Sequence, residues 1–296
     1  MKRAALKNAK VIEEIKKGWS SDRKYVVQTR DDERFLLRTS SIEEYDHKKK
    51  EYNYMKKLVS LGVPISKSLD FWVEDDVIHM LFTWAEGEDS EDVLPKLSEK
   101  EQYRLGYEAG TLLKKMHSLP APSETEEWHL FFNRKIDRNI RNYETCELKY
   151  ADDSAFLDYI EANRHLLEGR PQTFQHGDYH TGNMILSSEN VLTVIDFNRW
   201  SYGDPWEEFN RIDFSAGVSP AFASGKITGY FQGKPPREFF QLLALYIATN
   251  ILNALPWALN YSEKEVMTMQ DKARAVLEAY DGMSCVIPSW YRRVTQ

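Results

Sequence analysis

One short stretch holds most of the residues that could do chemistry. It opens His176-Gly-Asp-Tyr-His-Thr-Gly-Asn183 and, after a short apolar run, closes on Val194-Ile-Asp196-Phe. An acid, an amide and a second acid in that order suit phosphoryl transfer. A hydroxyl attacking the terminal phosphate of a nucleotide needs a carboxylate to orient it and take its proton, and divalent metal to offset the charge on the phosphates. Asp178 has the type and place for the first task. Mg²⁺ takes oxygen ligands and commonly draws only one or two from protein, so Asn183 and Asp196 suffice for the second.

The elements that must hold these groups are legible around them. Thr173-Phe-Gln175 enters the loop, while Met184-Ile-Leu186 and Val191-Leu-Thr-Val-Ile195 read as two paired short strands across a Ser-Ser-Glu-Asn turn. Asn183 then starts one strand and Asp196 ends its neighbour, so both can reach one metal. Another reading takes His176-x-Asp178-x-His180 as a cluster for Zn²⁺ or a similar ion. Such sites recruit further histidines, and none follows His180. A blander reading makes Asp178 and Asp196 ordinary turn and strand-end acids; their joint spacing with Asn183 argues against it.

The run HGDYHTGN followed by IDFNRWSYGDP resembles the aminoglycoside phosphotransferase family, relatives of the protein kinases. The resemblance implies Asp178 as catalytic base, Asn183 and Asp196 as metal ligands, and His176 as a brace for the loop. It implies an α+β, protein-kinase-like two-lobe fold: an antiparallel-sheet lobe over residues 1–84 that binds nucleotide, and a mainly helical lobe over 85–296 with the catalytic loop and acceptor site. It further implies ATP or GTP with Mg²⁺ as cofactors and a small hydroxylated acceptor, in the first instance an aminoglycoside-like antibiotic. A metabolite or macrolide kinase of the choline-kinase type, and a nucleotide-binding protein without catalysis, remain open beside it.

The first eighty-odd residues fit such a nucleotide lobe. Lys24–Thr29 with Arg34–Arg38, and Leu69–Val73 with Val77–Phe82, read as two hairpins across Asp-Asp turns. Between them Ser41 and Glu44 have capping-box spacing, and Tyr52, Met55, Leu58 and Val59 continue a helix that Gly62 and Pro64 stop. Glu51 shares the inward stripe with Met55 and Leu58 and needs a partner there, unless it is a solvated acid paired with Lys48 or Lys56. Arg38 stands where the kinase pattern carries a lysine that meets phosphate and a helix acid, so the sequence departs from the pattern. Arginine keeps the charge and can clamp phosphate or carboxylate in a fork. The phosphate-covering loop, Lys17-Gly18-Trp-Ser-Ser-Asp-Arg-Lys24, has one glycine, but Ser20 and Ser21 can donate to phosphate. Thr83-Trp84-Ala-Glu-Gly87 reads as the hinge, with Trp84 set to flank an adenine.

Downstream, Ser98 with Glu101 caps a helix whose apolar stripe runs from Leu105 to Met116. Acceptor recognition falls to the segment after the metal motif, where Trp200, Tyr202 and Glu208 offer rings and an acid. Asp204 and Glu207 are explained as a helix cap around Pro205. The 39 Lys and Arg against 46 Asp and Glu give a net charge of −7, which argues against a nucleic-acid binder and suits a cationic acceptor. Cys146 and Cys285 have no CxxC spacing, and no signal sequence is apparent, so the cytoplasm is the expected compartment. The apolar run 242–259, interrupted by Thr249, Asn250, Asn253 and Pro256, reads as a core helix rather than a membrane span. No protein partner is expected.

Overall fold

The computed structural model of the protein describes residues 4–16 and 22–292, so Ser20 and Ser21 lie outside the described residues. The chain divides into two compact units, Met1–Val93 with Gly182–Trp200, and Leu94–Thr181 with Ser201–Gln296.

The first unit is built on a five-stranded antiparallel sheet in the order β1-β2-β3-β5-β4. Its strands are β1 (Ala9–Ile15), β2 (Arg23–Thr29), β3 (Arg34–Ser41), β4 (Ser68–Glu74) and β5 (Val77–Thr83). Both expected hairpins form. Their turns put Asp32, Asp75 and Asp76 at φ of 59°, 49° and 58°, a left-handed conformation that short polar side chains tolerate. The edge strand β1 was not expected. Lys10, Glu13 and Glu14 mask its alternation, and charge is what protects an exposed edge from unwanted pairing. Val27, Leu37, Trp72 and Leu81 form a core cluster of this unit.

The Tyr45–Ser60 helix buries Lys48, Glu51, Tyr52, Met55 and Leu58. The capping box expected at Ser41 and Glu44 is not made: Ser41 instead caps a short 3₁₀ turn over Ile42–Glu44 by accepting from Glu43 N. One extra turn before the helix uses up the spacing the box required. The short hairpin of Met184–Leu186 and Leu192–Val194 packs with this unit, through Glu88–Asp89 pairing with its first strand and Val194 N donating to Pro64 O at 2.9 Å. Residues 182–200, expected with the helical lobe over 85–296, belong by their contacts with the sheet.

The second unit is mainly helical. The Glu99–Met116 helix starts in the expected Ser98/Glu101 capping box and buries Leu105, Ala109, Leu112, Leu113 and Met116. Against it lies the Pro220–Phe231 helix, at backbone distance: a Cβ on Gly110 would stand 2.0 Å from Lys226 O, and one on Gly229 would stand 2.0 Å from Tyr107 O. The Arg237–Ala258 helix is long and apolar enough to cross a membrane, but 72% of that stretch is buried among its neighbours. It carries Pro256 within its last turn. The Thr173–Gln175 strand, which leads into the loop carrying Asp178, pairs with Ser201–Gly203.

Candidate active site

The loop that follows Gln175 is held from beneath by buried polar groups. Glu208 accepts from His176 N at 2.6 Å and from Gly177 N at 3.0 Å. Burial works against its charge, yet the nearby histidines and the Gly177 N–H outweigh it and hold the carboxyl below the usual range. His117 Nε2 lies 3.9 Å away, an ion-pair separation rather than a hydrogen bond. His176 is fully buried, and its Nδ1 accepts from Asp178 N at 3.2 Å. The ring therefore shapes the loop from within. Beyond Asp178, Tyr179 donates its hydroxyl to Ala109 O at 2.7 Å, and its own carbonyl accepts from Lys226 Nζ. Asp178 itself is 17% exposed, with Arg211 Nη1 at 2.9 Å and His180 Nε2 at 3.3 Å from Oδ1.

Asn183 and Asp196 meet at one end of the short hairpin. Met184 pairs with Val194, Ile195 N donates to Asn183 O at 3.0 Å, and Asp196 follows directly in a left-handed conformation at φ 62° and ψ 64°. That backbone is uncommon for a residue with a side chain, and it turns the chain sharply at the carboxylate. One amide oxygen and one carboxylate fit a hard cation that takes its remaining ligands from phosphate and water. Among the described residues no group of three or more His, Cys, Asp or Glu could hold a metal, so the donor set does not match the Zn²⁺ reading. Lys24 Nζ, on β2, lies 2.7 Å from Asp196 Oδ2.

Around β3 and the Tyr45–Ser60 helix runs a buried charge network. Arg38 is 3% exposed. It donates from Nη1 to Glu51 at 2.5 Å, from Nε to Asp22 at 3.1 Å and from Nη2 to Asn198 at 2.9 Å, with a further Nη2 bond to Asp22. Burial opposes its charge, but Glu51 and Asp22 raise its pKa regardless. Lys48, which the sequence offered as a solvated partner, is 1% exposed and pairs with Asp22 at 2.9 Å and Glu44 at 3.2 Å. Asp22 also accepts from Ser40 at 2.7 Å. Burial pushes its carboxyl up, but Arg38 and Lys48 prevail and bring it down to about 2.

A family model described as the phosphotransferase enzyme family matches residues 11–240. The chain belongs to that family. As a phosphotransferase of this family it acts on a hydroxyl of a small molecule, and its fold is protein-kinase-like. No curated protein matches by sequence. Among solved structures, a thermostable mutant of aminoglycoside phosphotransferase APH(4)-Ia superposes with a TM-score of 0.67 at 15% identity, over 93% of this chain and 96% of that one. A choline/ethanolamine kinase family protein from Mesorhizobium loti gives 0.67 at 14%, over 96% and 97%. The gentamicin complex of APH(2")-IIa gives 0.63 at 17%, over 95% of each chain. At such identities the likeness is one of fold.

Of the three residues of this phosphotransferase expected to meet acceptor, Glu208 and Trp200 are otherwise engaged. Glu208 is 3% exposed and spends both carboxylate oxygens on loop backbone. Trp200, 6% exposed, stacks on His47 with ring centroids 4.8 Å apart and leans on Tyr54. Tyr202 is half-buried in the strand pair opposite Phe174. Asp204 does cap, accepting from Trp206 N at 2.9 Å, but it is chiefly the partner of Arg170 at 2.7 Å and Tyr246 at 2.6 Å. Glu207 makes no reciprocal cap and pairs with Lys135 at 2.9 Å. Trp84 is half-buried under the Arg34 guanidinium, 5.5 Å from its ring centroid. Sequence reasoning missed Asp22, Lys24, Asn198, Arg211 and Lys226. Only Lys48 carried a signal, since it lies one turn before Glu51 on the same inward stripe.

Proposed function

We propose that the protein transfers the terminal phosphoryl group of ATP to a hydroxyl of a small molecule, with Mg²⁺ as the metal. The observation that carries this reading is the placement of Asn183 and Asp196 at one end of the short hairpin, in a chain whose family is phosphotransferase. Bound there, the metal would hold the phosphates and offset their charge. Asp178 orients the acceptor hydroxyl and takes its proton, and Arg211 fixes the carboxylate from one side. Glu208, His176 and Lys226 hold the loop backbone that carries it. Glu51 and Arg38 set the sheet unit's charge network, and Trp84 flanks the adenine. The complexes of structural neighbours with ADP and hygromycin B, and with AMP-PNP and Ca²⁺, support nucleotide and divalent metal as cofactors.

The acceptor we propose is an aminoglycoside-like polyhydroxylated amine, supported by the neighbours bound to hygromycin B and gentamicin. One observation favours a second reading, a smaller metabolite alcohol. The acids that would greet a polyamine, Asp204, Glu207 and Glu208, are buried and internally paired. The cytoplasm is the proposed compartment, supported by two free thiols, Cys146 and Cys285. ADP release is measured with ATP and Mg²⁺ over aminoglycosides, macrolides, choline and simple sugars, with Asp178→Asn as control. Acceptor-dependent turnover lost in the control supports the reading and names the substrate class; turnover unchanged in Asp178→Asn overturns the assignment of the base.

A further inference from the structure

We infer that Lys24, not Arg38, is the cation that meets the nucleotide phosphates, and that Arg38 is a positioning residue. The inference rests on the nucleotide reading above and deepens it.

Arg38 is poorly placed to serve a ligand. Its guanidinium is enclosed, and its N–H groups already go to Glu51, Asp22 and Asn198. Two carboxylates exceed its single charge. To reach a phosphate it would abandon Glu51 inside the protein, where an unpaired carboxylate is strongly disfavoured, and leave Asp22 to Lys48 and Ser40 alone. Its partners instead define a joint. Asp22 belongs to the expected phosphate-covering loop Lys17–Lys24, Glu51 belongs to the Tyr45–Ser60 helix, and Asn198 lies two residues past Asp196.

Lys24 has the opposite properties. It pairs directly with Arg38 across β2 and β3, and direct cross-strand partners present their side chains on the same face of a sheet. A positive charge moved from β3 to this rung therefore stays on the same face. Its side chain is 14% exposed, and Nζ lies 2.7 Å from Asp196 Oδ2. An ammonium held at that carboxylate is within reach of what the carboxylate binds. Lysine is also the more adaptable phosphate ligand of the two, a compact charge with three donors on a flexible stem.

The test measures affinity of the full-length protein for Mg-ATP and for adenosine by calorimetry, with the melting temperature of the ligand-free protein, for wild type, Lys24→Met, Lys24→Arg and Arg38→Lys. Lys24→Met should melt with the wild type, bind adenosine normally and lose roughly 10- to 100-fold in ATP affinity, the scale of one charge-assisted contact. Lys24→Arg should recover part of that loss. Arg38→Lys should melt lower, because an ammonium cannot span Asp22, Glu51 and Asn198 together, while keeping more of its preference for ATP over adenosine than Lys24→Met. Wild-type ATP affinity in Lys24→Met, or a folded Arg38→Lys that alone loses the preference, overturns the inference and leaves the nucleotide reading standing. A wild type that binds neither ligand overturns both.

Discussion

At the scale of single residues, the site is set less by the groups that would react than by those holding them. Glu208 is the clearest case. Its carboxylate takes the amide hydrogens of His176 and Gly177, immediately before Asp178, at 2.6 and 3.0 Å. Glu208→Gln keeps the shape but turns an amide donor toward one of those N–H groups. Turnover should fall on the order of 100-fold through misplacement of the loop, with stability lower by about 2 kcal/mol for the lost charged bond. Steady-state ADP release and urea melts would check it, and an active Glu208→Gln would return the residue to the acceptor role first expected of it. The contrast with Asp178 explains what could be read in advance. Asp178, Asn183 and Asp196 lie close along the chain, so their types and spacing single them out. Lys24 meets Asp196 across 172 positions and Lys48 meets Asn198 across 150, so no local pattern announces either contact.

Among the elements, the pairing of the Glu99–Met116 and Pro220–Phe231 helices does the positioning. Their backbones touch at Gly110 and Gly229, which brings Lys226 up to the Tyr179 carbonyl and Tyr179 to Ala109. Gly110→Ala puts a methyl 2.0 Å from the Lys226 carbonyl oxygen, an atom that cannot swing aside. The expected cost is about 2–3 kcal/mol, the upper range for overpacking, read as a lower urea midpoint at unchanged slope. Activity should fall further than stability alone requires, because the helix that must back away carries Lys226. A periodic reading finds the apolar stripe of Leu105 to Met116 but not this contact, since glycine contributes nothing to a hydrophobic face. The hairpin turns were legible because their Asp pairs carry backbone chemistry of their own, whereas β1 was hidden by Lys10, Glu13 and Glu14 on an exposed edge. The Ser41 cap failed for a related reason: its side chain bonds the nearer Glu43 N–H.

For the molecule as a whole, buried charges make stability depend on pH at both ends. Asp22 ionises at about 2 in the folded chain against 3.8 ordinarily. Between those values the unfolded chain binds a proton that the folded one refuses, so stability is lost as pH falls through that window. Lys226 behaves in the reverse sense. Fully buried, with Glu208 acting against desolvation, its ammonium is pushed down to about 7 from 10.5. From about pH 7 upward the folded chain has released a proton that the unfolded chain keeps, so stability should rise with pH toward 10.5. Lys226→Met removes that titration but leaves the Tyr179 carbonyl without its donor. The variant should be less stable at pH 9 by roughly 1–3 kcal/mol, the cost of a buried unsatisfied acceptor, and its stability should change less between pH 7 and 9 than that of the wild type. Urea midpoints at a series of pH values decide it: parallel profiles for the two proteins would mean that Lys226 stays charged throughout, held so by the Tyr179 carbonyl and the Tyr179 and Phe209 rings it faces. In that case the loop that carries Asp178 rests on a fixed charge rather than on a neutral amine.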